Sequence, residues 1–458
     1  MKPAGEILYH FGPRSRTRRG TVLIVVMWIM LGLVSITLFF CDAMVLEYRA
    51  SDNTTAGLEA EHAIEGARRY ISFVLGNLEV SGSMPDIENY EAEKVSIGDA
   101  SFWIIGRCLE EECSDITPAF GLVDEASKLD LNTATPEMLE GLPGMTNDLA
   151  ASIIDWRDTD MDLTPNGAES QYYLMRDPPY NCKDAPFETV DELRLVMGAE
   201  WDLIYGEDTN RNGILDPNED DGDKSFPEDN GDGKLDPGLV EYLTVYTREP
   251  NTRQDGSGRI NIRNTPNPDL SRLLRETFGE QRGEQIERAV GQGLQDIRSV
   301  LEYYIRSRMT QDEFSKIQDA LTVSNDQYLE GRINVNTASA AVLACLPGVG
   351  EEFARKLVDA RSQKSSEDLK IVSWVTEVLD TQRCIQAGPC LTTKTYQFSA
   401  DVAALGHLGR GFRRTLFIFD TSSGQPAVIY RRDLTRIGWP LGSAIRDEFD
   451  VVTEERRS

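Results

Sequence analysis

One apolar segment near the amino terminus, residues 21–40 (TVLIVVMWIMLGLVSITLFF), most limits what this chain can fold into. Its 20 uncharged residues match a helix that crosses the roughly 30 Å hydrocarbon core of a bilayer. Basic residues precede the segment and acidic residues follow it, so the positive-inside bias places the amino terminus in the cytoplasm and the bulk of the chain outside. The flanking charges are Lys2, Arg14, Arg16, Arg18 and Arg19 on one side and Asp42 and Glu47 on the other.

The end of this segment is unlike that of a secretory signal peptide. Such a peptide has an apolar core of about 7–15 residues followed by small residues at a cleavage site. Here the segment closes with Phe39-Phe40-Cys41-Asp42, which favours an uncleaved anchor.

Gly20 lies between two arginines and the apolar run. This arrangement resembles the type IV prepilin family, whose leader is cut after such a glycine on the cytoplasmic side. The resemblance implies that a prepilin peptidase cleaves between Gly20 and Thr21 and methylates the new amino terminus. It also implies a long N-terminal helix that packs on a globular head. The fifth mature residue is Glu in most of that family and Val25 here, which resembles one branch, the minor pseudopilin K of type II secretion systems.

The composition is that of a large, acidic, exported protein. A chain of 458 residues is long enough for two to four domains. Its formal net charge of −29 opposes binding to nucleic acid or to an anionic membrane surface. The same excess of carboxylates favours divalent cations.

Two pairs of cysteines lie close together in sequence, Cys108 with Cys113 and Cys384 with Cys390. In an oxidising compartment each pair is a candidate for a disulfide that closes a small loop. Free thiols and metal ligands are the alternatives. Zinc is not expected, because the chain has three His and no Cys-x-x-Cys.

Strand-forming segments lie at both ends of the exported part, with helical patterns between them. The first is 100–107, and the others are 396–405, 413–421 and 426–434. An apolar stripe at spacings of three and four continues the N-terminal helix to about residue 78. We therefore expect an α+β fold in which a pilin-like long N-terminal helix packs on a small antiparallel sheet, with a large inserted all-α domain.

The predicted domain boundaries follow these patterns. They are a prepilin leader at 1–20, the transmembrane part of the helix at 21–40, the remaining helix and first strands at 41–125, a first helical region at 126–258, a second helical region at 259–392, and the closing strands with a tail at 393–458. Acidic loops at 206–238 lie within the first helical region.

The helical insertion contains an internal repeat. Residues 129–158 align with residues 333–362, and residues 260–274 share only the opening of the unit. In each, Asn-Thr precedes a helix as a capping signal, and in the two longer copies Leu-Pro-Gly ends that helix before a second one. This is the pattern of a helix-hairpin-helix unit, similar to the sterile alpha motif (SAM).

Such hairpins have two interpretations. A Gly-x-Gly turn can present backbone N–H groups to a DNA phosphate, and the second copy has Gly348-Val349-Gly350 followed by Arg355, Lys356 and Arg361. The first copy has Gly144-Met145-Thr146 among many acidic residues that would repel a phosphate. We expect modules for protein contact and no nucleic acid as partner.

Residues 208–219 (DTNRNGILDPNE) match a calcium-binding loop of the EF-hand type. Glycine occupies position 6, where the chain must turn sharply, and carboxylate and amide residues occupy alternate positions. The predicted ligands are Asp208, Asn210, Asn212, the Ile214 carbonyl, Asp216 and Glu219.

A second, weaker match lies at 228–239. It ends in Leu239, where a carboxylate is expected, so an additional ligand is needed. The predicted residues are Glu228, Asn230, Asp232 and Asp236, with the additional ligand from Asp221, Asp223 or Asp229. We expect one or two structural calcium ions that hold an otherwise repelling acidic segment. Long flanking helices are not evident, which argues against a calcium sensor.

Catalysis has little support in this sequence. His10, His62 and His407 join no Ser or Cys nucleophile motif, and no phosphate-binding loop or His-Glu-x-x-His is present. We expect that the protein is not an enzyme.

The phrase GLVDEASKLDLNTA at 121–134 joins the features above in resembling the minor pseudopilin K family over essentially the whole chain past residue 14. The resemblance implies a single-pass protein of the bacterial inner membrane, with its bulk in the periplasm and residues 21–40 in lipid. It implies a place at the pseudopilus tip beside other minor pseudopilins, where the protein initiates assembly and limits fibre length for export across the outer membrane. The prepilin peptidase and the inner-membrane assembly platform are the other implied partners.

A tip position also explains Val25. In the pilin family the fifth-residue Glu is thought to pair with the terminal amine of the subunit ahead, and a tip subunit has none ahead of it. An unpaired carboxylate in lipid would be costly. The alternatives are a minor tip pilin of a type IV pilus or DNA-uptake system with a DNA-contacting hairpin, and a stand-alone membrane-anchored, calcium-dependent adhesin.

Overall fold

A single long helix opens the fold. The computed structural model describes residues 19–107, 118–222, 224–291, 293–442 and 445. Helix α1 spans Arg19–Gly76, and its side chains from residue 22 to residue 50 are all exposed. Of the residues described, this helix is the one long and apolar enough to cross a bilayer. The chain thus has one candidate membrane anchor, continuous with a helix that enters the head.

An antiparallel sheet forms the base of the head. Its strands are β1 (Val95–Ile97), β2 (Ala100–Ile105), β3 (Val123–Asp124), β4 (Gln397–Leu405), β5 (Arg413–Asp420) and β6 (Ala427–Asp433). The order is β1-β2-β4-β5-β6, and β3 pairs with the start of β4. The predicted fold class is confirmed, and the four predicted strand segments coincide with β2, β4, β5 and β6.

Helix α1 packs on one face of this sheet through small side chains. Ala60, Ala63 and Ala67 are fully buried against Phe398 and Phe417 of β4 and β5. Because alanine side chains are small, they let the helix approach the sheet closely. They lie on the apolar stripe that the sequence predicted for this helix. The backbones come very close at Ala56, where a Cβ on Gly406 would lie within 2.2 Å of the Ala56 carbonyl oxygen.

The inserted domain departs from the end of the sheet that is remote from the anchor. The Thr395 N–H donates to the Gly82 carbonyl (3.0 Å), just beyond the carboxyl end of α1, whereas the far end of β4 reaches Ala56. Because β3 pairs with Ser399 and Phe398, the chain both leaves and rejoins the sheet at this remote end. The insertion then extends over the face opposite α1.

The insertion is built of short helices. They are α2 (Pro136–Glu140), α3 (Asn147–Arg157), α4 (Ser170–Tyr173), α5 (Trp201–Tyr205), α6 (Pro268–Phe278), α7 (Glu280–Val290), α8 (Val300–Ser307), α9 (Gln311–Ser315), α10 (Ala340–Ala344), α11 (Gly350–Ser362), α12 (Ser366–Leu369) and α13 (Thr381–Ala387). The residues that cap α2, α6 and α10 are Thr135, Asn267 and Ser339. They lie two or three residues beyond the Asn-Thr pairs that the sequence pattern indicated, so those predicted caps are wrong.

Three units of the insertion are each closed by a short parallel strand pair. Leu129–Asp130 pairs with Leu243–Thr244, Ile260–Asn261 with Leu321–Thr322, and Ile333–Asn334 with Leu391–Thr392. In each unit the Asp or Asn side chain accepts a hydrogen bond from the backbone two residues on. The segment at 260 therefore opens a complete unit, although its sequence shares only the start of the repeat. A further antiparallel pair joins Arg248–Pro250 to Tyr328–Glu330.

Hydrophobic packing joins the first and last of these units. Residues 129–243 and 333–391 share one core, which Leu301 also joins, whereas other buried residues of 262–321 form a separate one. Where the two units meet, a Cβ on Gly141 would lie 3.2 Å from the Cys345 Cα, and these two positions are equivalent in the repeat. This packing cuts across the predicted boundary between residues 258 and 259.

The second cysteine pair is not a disulfide. Cys384 and Cys390 are both free thiols, so this candidate is wrong. The Cys384 thiol is buried in the hydrophobic core and lies 3.5 Å from the Leu379 carbonyl oxygen, to which it donates. The other pair, Cys108 and Cys113, lies outside the described residues.

Candidate functional site

The loop at 208–219 folds inward around its own carboxylates. Asp208 and Glu219 are almost fully buried, and Gly213 turns the chain with φ +70°. The Asp208 oxygens accept from the N–H groups of Asn212 (2.9 Å) and Gly213 (2.8 Å). The Glu219 oxygens accept from the N–H groups of Thr209 and Asp216, both at 3.1 Å. Positions 1 and 12 of the loop thus face the same interior.

The other predicted ligands of this loop gather around Asp216. Its Oδ2 accepts from the side-chain amides of Asn210 (2.6 Å) and Asn212 (3.0 Å). The Asn210 Oδ1 atom is buried and has no hydrogen-bond partner. An orphaned amide oxygen beside three carboxylates is a donor set of the kind that calcium prefers. The residues present therefore fit a calcium ion.

Burial makes these carboxylates costly to ionise. It raises the pKa of Glu219 to about 7, and it raises the pKa of Asp208 above its ordinary value. The charges of Asp208 and Asp216 raise the pKa of Glu219 further. A bound divalent cation would supply the positive charge that favours the ionised forms.

Two arginines join the outer side of this loop to the sheet. The Arg414 guanidinium donates to the carbonyl oxygens of Asn210 and Arg211, both at 2.5 Å, and Arg107 donates to the Arg211 carbonyl at 2.6 Å. Arg414 is on β5 and is fully buried. The loop therefore rests on the sheet face opposite α1.

Acidic partners hold the two arginines in place. Asp401 of β4 accepts from Arg414 at 2.9 and 2.6 Å and forms an ion pair with Arg107 at 3.4 Å. Glu241 forms an ion pair with Arg107 at 3.2 Å. The arginines lower the pKa of both carboxyl groups against the opposing effect of burial. Sequence reasoning missed this network, because its members are up to about 300 residues apart in the chain.

The second loop recruits carboxylates from outside its own sequence. Glu207 is buried, and its two oxygens accept from the N–H groups of Asn230 (3.1 Å) and Asp236 (3.2 Å). Glu219 accepts in the same way from Asp216, which has the position of Asp236 in the first loop. Asp220 accepts from the Gly233 N–H (3.0 Å), as Asp208 does at the equivalent glycine.

Several predicted residues of the second loop take other positions. Glu228 is exposed, Asp221 bonds to Ser225, and Asp229 accepts from three backbone N–H groups of the neighbouring turns. Leu239 is buried in the core. Asp223 lies outside the described residues. Asn230 and Asp236 therefore bond within this loop, and Asp220 and Glu207 occupy positions in it that resemble those of Asp208 and Glu219 in the first loop.

The hairpin cations are used within their own units. Arg361 donates to the carbonyls of Val335 (3.1 Å) and Ala338 (2.5 Å), and Lys356 pairs with Glu352 (2.6 Å). In the first unit Arg157 bonds to the equivalent carbonyls, those of Leu131 and Ala134. Glu351 and Glu352 occupy the first turn of α11, where a phosphate would have to bind. The hairpins therefore hold their own turns together.

The N-terminal positions lie at the start of α1. Gly20 and Thr21 are helical, and Val25 is 56 % exposed on a surface of apolar side chains. A long apolar helix on an antiparallel sheet, with an inserted helical domain, is the architecture expected of a pseudopilin-like protein with one candidate membrane anchor.

Comparison with known families narrows this class. Residues 133–204 match the family model described as "Type II secretion system (T2SS), protein K", and residues 330–377 match that of the helix-hairpin-helix motif. The first match confirms the resemblance to the minor pseudopilin K family of type II secretion.

Among solved structures, the chain is similar to one from "The Crystal Structure of the GspK-GspI-GspJ complex from enterotoxigenic Escherichia coli Type 2 Secretion System". The TM-score is 0.39 at 11% identity, over 84% of this chain and 98% of that one. The comparison with curated proteins gave no match.

Proposed function

We propose that this protein is a minor pseudopilin at the tip of the type II secretion pseudopilus, where it initiates assembly and limits fibre length for export across the outer membrane. The observation that carries the proposal is that the fifth residue after Gly20 is Val25 and not a carboxylate. In addition, the globular head carries a large insertion at the end of its sheet that is remote from the N-terminal part of α1.

The position of the insertion supports a terminal subunit. In a fibre of stacked pilin-like helices, the subunit above must lie against the part of the head that is farthest from the membrane. Here the inserted domain leaves the sheet at that end and covers the sheet face opposite α1. A further subunit in register would therefore collide with it, while subunits beside and below would meet α1.

Processing and partners follow from the same proposal. A prepilin peptidase removes residues 1–20 and methylates the new amino terminus at Thr21. The amino terminus is cytoplasmic, residues 21–40 lie in the inner membrane, and the remainder is periplasmic. The partners are other minor pseudopilins at the tip and the inner-membrane assembly platform, and the protein carries out no catalysis.

Calcium has a structural role in this proposal. The first loop holds one ion through Asp208, Asn210, Asn212, the Ile214 carbonyl, Asp216 and Glu219. The second loop holds another with Glu207 and Asp220 beside Asn230, Asp232 and Asp236. Because Arg107 and Arg414 bond to carbonyls of the first loop, its order affects the contact between the insertion and the sheet. Calcium thus stabilises the position of the insertion on the head.

The Val25→Glu variant tests the tip position. A carboxylate placed in lipid costs on the order of 2–3 kcal/mol unless a partner neutralises it. A tip subunit has no amine ahead of it, so secretion of a native substrate should fall or stay unchanged when Val25→Glu replaces the wild type. The matched control is Val26→Glu, the same change one residue along the same helix, which should behave alike. A clear gain in secretion with Val25→Glu alone would contradict the tip position.

A further inference from the structure

A second group of carboxylates lies apart from the acidic loops, between α3 and the segment that follows it. We name it the Asp155 cluster, and its members are Asp155, Asp158, Glu169, Cys182 and Asp184. One oxygen of each of its four carboxylates is buried without a hydrogen-bond partner. These oxygens are Asp155 Oδ2, Asp158 Oδ1, Glu169 Oε1 and Asp184 Oδ1.

Three members of the cluster are close enough to share one ion. Glu169, Cys182 and Asp184 each offer a ligand atom, and these atoms lie within 4.8 Å of one another. Two oxygens bound to one Ca²⁺ at about 2.3–2.6 Å can be at most about 5 Å apart. Glu169 is 9 % exposed, and its Oε1 atom has no partner, so an unsatisfied buried carboxylate faces this space.

Asp155 contributes from the last turns of α3. It is fully buried, and its Oδ1 accepts from the Thr164 N–H at 3.1 Å, which leaves Oδ2 free. The charges of Asp155, Asp158 and Asp184 all act on Glu169 and, together with burial, raise its pKa. The same kinds of effect raise the pKa of Asp158. The four carboxylates therefore lie close together in an environment that disfavours their shared negative charge.

The nearby basic residues are engaged elsewhere. Arg157 donates to the carbonyls of Leu131 and Ala134. Lys183 forms ion pairs with Glu192 at 2.6 Å and Glu188 at 3.8 Å. Over the part of the chain that the structure describes, no Lys or Arg ion pair to the four carboxylates of the cluster is found. Buried like charges of this kind need protons or a cation.

We propose that the Asp155 cluster is a third cation site, separate from the two acidic loops, which binds one Ca²⁺ through Glu169 and Asp184 with Asp155 and Asp158 beside them. Four carboxylates and one thiol favour a hard cation over zinc. The bound ion holds the segment 158–184 against α3.

The sequence of this segment independently matches part of a calcium-loop pattern. Residues 158–169 (DTDMDLTPNGAE) place Asp at positions 1, 3 and 5 and Glu at position 12, which is the spacing of a calcium loop. Leu163 replaces the usual glycine at position 6. The structure departs from that pattern too, because Asp160 and Asp162 are exposed while Asp155 and Asp184 come from outside the twelve residues.

Counting bound calcium in the full-length chain in detergent micelles tests this site. The double variant Glu169→Gln/Asp184→Asn should hold one equivalent less than the wild type after equilibrium dialysis. The matched control Glu140→Gln/Asp177→Asn makes the same charge changes at exposed positions and should hold the full number. An unchanged count in the first variant would overturn the proposal.

Melting temperatures give a second readout that does not depend on the count. In EGTA, Glu169→Gln should melt at or above the wild-type temperature, because it removes a buried repelling charge. In millimolar calcium the order should reverse. A purely structural role for Glu169 predicts a lower melting temperature in both buffers, which would refute the site. Zinc binding that is lost in Cys182→Ser, without calcium binding to the cluster, would also overturn it.

Discussion

Arg414 offers a sharp test of how the insertion is held on the sheet. The fully buried guanidinium makes two bonds to Asp401 and one each to the carbonyls of Asn210 and Arg211. Replacing it with Met keeps most of the buried volume, so the loss of stability reports on charge and hydrogen bonding. Breaking a buried ion pair by removing one partner costs about 3–5 kcal/mol.

The surroundings of Asp401 place Arg414→Met at the lower end of that range. Asp401 keeps its ion pair with Arg107 at 3.4 Å, so its charge is not left alone. The Asn210 carbonyl loses its donor, whereas the Arg211 carbonyl keeps its bond from Arg107. The lost bond adds a cost of about 1 kcal/mol if water does not replace it. We therefore expect a loss of about 3–4 kcal/mol in the free energy of unfolding. The first acidic loop should also become more sensitive to protease.

Urea unfolding of the full chain in micelles, followed by tryptophan fluorescence, measures this loss. The control Arg436→Met removes an exposed arginine that follows β6 and should change stability by no more than about 0.5 kcal/mol. The double variant Arg414→Met/Asp401→Leu removes both charges and should lose less than Arg414→Met alone. Two results would refute the idea that a buried ion pair holds the insertion on the sheet. One is a loss of stability below about 1 kcal/mol for Arg414→Met, and the other is a loss in the double variant that equals the sum of the losses in Arg414→Met and Asp401→Leu.

Two further expectations concern the acidic loops and the start of the head. EGTA should lower the melting temperature and expose residues 206–238 to protease. Glu219→Gln should remove most of that calcium effect, whereas Glu228→Gln, at an exposed position, should leave it intact. Equal behaviour of the two variants would contradict the loop geometry. His407 lies between Glu59 (2.6 Å) and Asp52 (3.0 Å), and these carboxylates raise its pKa. Its stabilising contribution is therefore complete below the ordinary His pKa of about 6.5 and is lost as pH rises through the raised value. His407→Gln should lower the melting temperature most below about pH 6.5 and progressively less as pH rises above it. Exposed His62→Gln is the control, and a loss that does not vary with pH would contradict this.

Patterns within short stretches of sequence determined much of the architecture. The apolar run, the alanine stripe and the alternating strand segments specify the anchor, the packed helix and the sheet, because each follows from the period of one element. The register of residues 208–219 likewise identified a loop whose carboxylates face one interior, since twelve consecutive residues fix the spacing of its side chains.

Only the tertiary structure decided which distant groups meet. It placed Asp220 and Glu207, and not Glu228, against the backbone of the second loop, and it brought Asp184 to Glu169. It also left Cys384 and Cys390 as separate thiols. The physical reason is that a local period fixes where a side chain points from its own helix, strand or turn. Whether a carboxylate is buried, and beside which other charge, depends on how those elements pack.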